Sequence, residues 1–144
     1  MKAHLISTGT ELLLGQITNS NAPFIAQRLA ELGIDLYTQV TVGDNRERLA
    51  EAIKSAREKA DLVIINGGLG PTEDDVTREV VAQVLGLPLE ENPEALAVVE
   101  GYFQKRGLKM SQASLKLALA PAGARVLKNP LGTAPGLLVK HQGI

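Results

Sequence analysis

The sequence predicts an α/β domain built on a doubly wound, mostly parallel sheet. Strand-like and helix-like segments alternate from the amino terminus onward, which is the βαβ signature. The run Leu62-Val63-Ile64-Ile65 is apolar throughout, as suits a central parallel strand buried on both faces. Glycine-rich turns separate the segments, most densely at 67–70.

Residues 3–7 read as a short strand, broken by Thr8-Gly9-Thr10-Glu11. Ser20 or Asn21 is placed to cap a helix, with Pro23 tolerated in its first turn. Ala22, Ile25, Ala26 and Leu29 share one helical face, and Gly33 stops the helix. A second strand covers 34–42. Asp44 then opens a helix as a capping box with Glu47, and Leu49, Ile53, Ala56 and Ala60 form its buried face. After the 62–65 strand and its glycine turn, Thr72 is the expected cap of a helix carrying Val76, Val80 and Val84, stopped by Gly86. Asn92-Pro93 starts another, with Leu96, Val99 and Phe103 on one face and an end near Gly107. A short helix near 111–118 and strands near 125–127 and 136–140 complete the reading. No repeat, low-complexity tract or linker interrupts the 144 residues, so one domain is expected. Ligands of such sheets bind beyond the carboxyl ends of the strands, which points to loops 8–15, 43–45 and 66–75.

Composition narrows the chemistry. Net charge is −1, which leaves no basic footprint for nucleic acid, and 3% aromatic residues are too few for a base-stacking platform. The absence of cysteine removes disulfides, thiolate metal sites and cysteine nucleophiles. His4 and His141 stand at opposite ends of the chain and make a poor zinc pair. No apolar run approaches the roughly 20 residues of a membrane helix, and the start resembles a strand rather than a signal peptide. No membrane partner, a cytoplasmic location and a cofactor-free or hard-metal protein are the expectations.

Several residues carry two readings each. The glycines at 67, 68 and 70 let backbone approach a phosphate ahead of a helix start, or simply make a tight turn. Glu73, Asp74 and Asp75 complement a helix dipole, each worth about 0.3–1 kcal/mol, or hold a divalent metal that bridges carboxylate and phosphate oxygens. Asp44 caps a helix, faces a pocket, or does both. Thr8-Gly9-Thr10-Glu11 binds a ligand or turns the chain. The Gly132-Thr133-Ala134-Pro135-Gly136 stretch reads by itself only as a turn. Arg78 and Lys116 are anion partners or solvated helical cations.

The segments Thr8-Gly9-Thr10-Glu11-Leu12-Leu13-x-Gly15, Asn19-x-Asn21-Ala22 and Val42-Gly43-Asp44-Asn45 are followed by Gly67-Gly68-Leu69-Gly70-Pro71-Thr72-x-Asp74-Asp75-x-Thr77 and Asn129-Pro130-x-Gly132-Thr133-Ala134-Pro135-Gly136. In this order they resemble the N-terminal domain of the CinA (competence/damage-inducible protein) family, within the MoaB/MogA-like molybdopterin-binding superfamily. The resemblance spans essentially the whole chain. It implies a three-layer α/β/α fold with a mostly parallel central sheet, and a single domain over 1–144. It also implies metal-dependent hydrolysis of the pyrophosphate in ADP-ribose or a related nucleotide sugar. Asp44 and Asp75 are then the catalytic acids, and Asp44, Asp74 and Asp75 the ligands of a divalent metal ion. Thr8, Gly9, Thr10, Glu11, Gly67, Gly68, Leu69, Gly70, Thr72 and Thr133 contact the phosphorylated substrate.

Ser114-Leu115-Lys116-Leu117-Ala118 keeps the lysine and alanine of a family Asn-x-Lys-Gln-Ala motif. The family pattern runs past Ile144, often into a nicotinamide mononucleotide deamidase domain, so a fragment is expected. A homo-dimer or other homo-oligomer is expected too. The molybdopterin branch of the resemblance implies a rival activity, pterin binding and adenylylation in molybdenum cofactor biosynthesis. A non-catalytic nucleotide-binding module is the third reading.

Overall fold

The computed structural model describes residues 1–144, which form two compact units, 1–68 with 141–144, and 69–140. The first unit contains β1 (Lys2–Thr8), α1 (Thr10–Leu13), α2 (Asn21–Glu31), β2 (Asp35–Val42), α3 (Arg46–Arg57) and β3 (Leu62–Asn66). Its sheet has the order β2-β1-β3, and both pairings are parallel. The α/β class and the parallel sheet expected from the alternation are therefore present.

The centre of this sheet is β1, not β3. In β1 every residue from Ala3 to Thr8 is buried, Leu5 and Ile6 on opposite faces, whereas β3 is half-buried along its length and lies at the end of the order. A purely apolar run shows that both faces avoid water to some degree. It does not show which strand has two neighbours. Helix α3 buries Leu49, Ile53 and Ala56, with Ala60 buried just beyond, as its periodicity requires, and α2 buries Ala22 and Leu29.

Both helices start with different caps from those expected. Asn45 caps α3, its backbone extended and its side chain accepting from the Arg48 N–H at 2.9 Å. In α2 neither Ser20 nor Asn21 makes a capping bond; the Asn19 side chain accepts from the Ala22 N–H at 3.3 Å. Each displacement frees a polar side chain for the carboxyl end of the sheet.

The second unit contains α4 (Thr77–Leu85), β4 (Leu89–Glu91), α5 (Pro93–Lys105), a 3₁₀ helix (Ala113–Ala118), β5 (Leu119–Pro121), β6 (Arg125–Leu127) and β7 (Gly136–Leu138). Here the pairings are antiparallel, β4 with β5 and β6 with β7. The strands β4 and β5 escape a sequence reading because three residues show no alternation and β5 ends in proline. Val76, Val80, Ala95, Val99, Leu117, Ala118 and Ala120 make this unit's core. Asn92 caps α5 through the Glu94 and Ala95 N–H groups, and Gly86 ends α4 in the left-handed conformation, both as expected. Thr72 does not cap α4. The helix begins at Thr77, and 72–75 form a separate turn closed by the Asp75 N–H on the Thr72 carbonyl at 3.3 Å.

Candidate functional site

In the first unit, the ends of three parallel strands run into short polar loops at one edge of the sheet. Thr8, Gly9, Thr10 and Glu11 follow β1, Asp44 follows β2, and Gly67 and Gly68 follow β3. Thr10 and Asp44 are joined reciprocally. The Thr10 N–H donates to Asp44 Oδ2 at 2.9 Å, and the Asp44 N–H donates to Thr10 Oγ1 at 3.0 Å. Asp44 therefore leaves α3 to Asn45 and sets its carboxylate at the start of the short α1 instead. A side chain on Gly43 would crowd this junction, since its Cβ would stand 3.3 Å from Thr10 Oγ1.

Gly67 has φ 108°, and a Cβ there would collide with the Thr8 carbonyl oxygen; Gly68 has φ 65°. The backbone of this turn thus needs glycine for its own shape, before any ligand is considered. Thr8 is 5% exposed, and its hydroxyl is buried with no hydrogen-bond partner. Glu11 lies beside Gly9, whose missing side chain leaves room for the carboxylate. Asn19, which sequence reasoning placed in a motif without a role, and Asn21, read there as a cap candidate, pin α2 to this edge. Asn19 donates to Ser7 Oγ at 2.9 Å, and Asn21 donates to Asn66 Oδ1 at 3.1 Å.

In the second unit, Asp75 organises the 70–75 turn. Its Oδ2 accepts from the Thr72 N–H at 2.9 Å and from the Thr72 hydroxyl at 2.6 Å. Burial raises the pKa of this carboxyl, but the Thr72 hydroxyl, the Thr72 and Gly70 N–H groups and the Lys116 ammonium outweigh it and hold it below its ordinary 3.8. A Cβ on Gly70 would meet Asp75 Oδ2 at 2.5 Å, so this glycine makes room for the carboxylate. Lys116 donates to the Thr72 carbonyl at 2.7 Å and to the Asp75 carbonyl, and pairs with Glu79 at 3.2 Å. It braces the turn through these carbonyls. Leu69 precedes this turn, half-buried, while Glu73 and Asp74 are exposed. Thr133 sits half-buried in a loop shaped by Asn129, which accepts from the Leu131 and Gly132 N–H groups and donates to the Ala134 carbonyl. Arg78 is not solvated. It is 1% exposed, and none of its guanidinium nitrogens has a partner. Only the tertiary structure exposes that fact, because a helical arginine looks surface-bound in sequence.

No group of three or more His, Cys, Asp or Glu side chains comes together as a metal cage. Asp75 already serves three donors, which leaves its carboxylate capacity for little more than one further contact. These residues fit an ion held by one or two carboxylates plus substrate phosphates and water, the usual habit of Mg²⁺. They do not fit a closed all-protein site.

Parallel strands whose carboxyl ends run into glycine-rich and short polar loops define an α/β domain of the small-ligand-binding class. Residues 4–143 match the family described as "Probable molybdopterin binding domain". A competence-damage inducible protein of Moorella thermoacetica is 56% identical over 143 residues, which is 99% of this chain and 34% of that protein. A CinA-like protein of Synechococcus elongatus is 52% identical over 136 residues, 94% of this chain and 32% of that one. The chain thus spans about a third of the length of these curated relatives. A CinA crystal structure from Thermoplasma acidophilum, described as of unknown function, superposes with a TM-score of 0.89 at 37% identity, covering 99% of this chain and 83% of that one. The tungsten cofactor synthesizing protein MoaB of Pyrococcus furiosus shares the fold alone, with a TM-score of 0.58 at 19% identity over 90% of this chain and 74% of that one. The chain belongs to the molybdopterin-binding domain family and, within it, to the CinA-like proteins. None of its helices is long and apolar enough to cross a membrane.

Proposed function

We propose that this domain binds a phosphorylated nucleotide and hydrolyses the pyrophosphate bond of ADP-ribose or a related nucleotide sugar. The observation that carries this reading is Asp75, an ionised carboxylate fixed by Thr72 and Gly70 in an exposed turn. Asp75, with Asp74 beside it as a further candidate, would hold a divalent metal, which would supply charge neutralisation and an activated water. The chain's own contribution is positional. Thr72 and Lys116 hold the turn so that the carboxylate needs no reorganisation when substrate arrives. The Thr8–Glu11 loop, tied down by Asp44, is the first unit's own candidate ligand-binding element.

The rival reading, molybdopterin binding with adenylylation, draws support from the description of the matching family. The lack of a three-ligand cluster favours a third, a nucleotide-binding module without catalysis. Turnover of ADP-ribose against metal concentration, beside adenylyl transfer from ATP to molybdopterin, separates them. Metal-dependent release of AMP and ribose 5-phosphate supports the hydrolase. Adenylylated pterin, or binding without turnover of either substrate, overturns it.

A further inference from the structure

Lys116 has its hydrogen-bonding capacity filled within the second unit. It lies in the 3₁₀ helix Ala113–Ala118, distant in sequence from the 70–75 turn, and an ammonium group has three N–H donors. Three acceptors meet them. The Thr72 carbonyl stands at 2.7 Å, the Asp75 carbonyl is a second, and Glu79 Oε1 is 3.2 Å away. The side chain is 18% exposed. Neither an anion partner nor a solvated cation, Lys116 is a clamp on the backbone of the turn.

Glu79 is the counter-ion of that clamp. It stands in the first turn of α4, its side chain 22% exposed, and its Oε2 is buried without a hydrogen-bond partner. Its link to the Asp75 carboxylate runs through Lys116. Contacts pass from Glu79 Oε1 to the ammonium, from there to the Thr72 and Asp75 carbonyls, and from the Thr72 N–H and hydroxyl to Asp75 Oδ2. Without Glu79, the flexible four-carbon stem of Lys116 is free to turn toward water and release both carbonyls.

We propose that Glu79 is a positioning residue: by fixing Lys116 it holds the 72–75 turn, and with it the Asp75 carboxylate, in the geometry that meets a ligand. This role rests on the reading of Asp75 as the working carboxylate, while the clamp itself is independent of which ligand Asp75 meets. A first-turn acid also complements the dipole of its own helix. That effect is felt at the first hydrogen bonds of α4, whereas positioning is felt at Thr72.

The test is amide hydrogen exchange of the full chain, followed by NMR. One probe is the Thr72 N–H, which donates to Asp75; the other is the Val80 N–H, which donates to the Val76 carbonyl in α4. Glu79→Ala should speed exchange at Thr72 by about threefold and leave Val80, corrected for its new neighbour, unchanged. Glu79→Gln keeps an acceptor for Lys116 and should stay near wild type. Lys116→Met removes the clamp, and adding Glu79→Ala to it should speed Thr72 no further. Should Lys116→Met strand the Glu79 carboxylate and fail to fold, Lys116→Met with Glu79→Gln replaces it as the reference for the same comparison. Unchanged exchange at Thr72 in Glu79→Ala, or an equal rise at Thr72 and Val80, overturns the assignment. So does a further rise when Glu79→Ala joins the Lys116 variant. In ADP-ribose turnover, Glu79→Ala should lower kcat and leave KM unchanged. A raised KM with unchanged kcat makes Lys116 a substrate contact and overturns the clamp. Absence of turnover in wild type removes the hydrolase reading, and the exchange rates still decide the clamp.

Discussion

Asp75 illustrates how one side chain serves structure and chemistry together. Its carboxylate accepts from the Thr72 hydroxyl and N–H, so Asp75→Asn removes charge from those bonds while preserving shape. The expected stability loss is about 1 kcal/mol, the difference between a charged and a neutral hydrogen bond. Metal-dependent ADP-ribose cleavage should be abolished. A metal titration of both proteins checks this, and an unchanged rate and metal dependence would refute the role of Asp75. The same residue sets a pH dependence. Its pKa is lowered on folding, so the contribution of the charged form is complete above the unfolded value near 3.8 and is lost as pH falls through the lower folded value. Unfolding midpoints of wild type and Asp75→Asn should therefore differ by a constant amount at mildly acid to neutral pH and converge in stronger acid. A difference that grows on acidification would contradict the sign.

At the level of elements, caps and turns divide the labour. Asn45→Ala should cost about 1 kcal/mol through the start of α3. Asp44→Asn, which keeps an acceptor for the Thr10 N–H, should cost less in stability and more in ligand affinity. Denaturant unfolding and isothermal titration with ADP-ribose on both variants measure the two effects. A negligible stability loss in Asn45→Ala would contradict Asn45 as the cap of α3. Gly67→Ala should destabilise by about 1–3 kcal/mol, because its φ is left-handed and its Cβ meets the Thr8 carbonyl. Gly70 is different. Its role is to admit the Asp75 carboxylate, so Gly70→Val should impair substrate turnover by more than it lowers the unfolding midpoint. Comparable losses would reduce this glycine to an ordinary turn residue.

For the whole molecule, assembly is the open quantity. The first unit ends its sheet in β2, with Tyr37 60% and Val40 39% exposed, and the second shows Leu131 at 90%. Sheet edges and apolar side chains left in water favour self-association. We expect a homo-oligomer, most simply a dimer. Light scattering at high protein concentration tests this, and a monomer mass would count against it.

Apolar spacing located α2, α3, α5, the body of α4 and the first-unit strands, because it is a local property, whereas α1 was read only as a break in the chain. Leu49, Ile53 and Ala56 on α3, the Asn92 cap and the Gly86 stop could all be read residue by residue. The glycine and acid motifs mark Gly67, Asp44 and Asp75 as candidates from sequence alone. Which side chain answers which backbone group was a different matter. Asp44 and Asn45 are adjacent and both cap helices well, and only the docking of α1 against β2 assigns one to Thr10 and the other to Arg48. Likewise β1 rather than β3 holds the centre of the sheet, since strand order depends on pairing between distant segments. Arg78 makes the same point most sharply. Its charge was evident in the chain, but its burial without a partner arises only when α4 is packed, because solvent exclusion is a property of the folded whole.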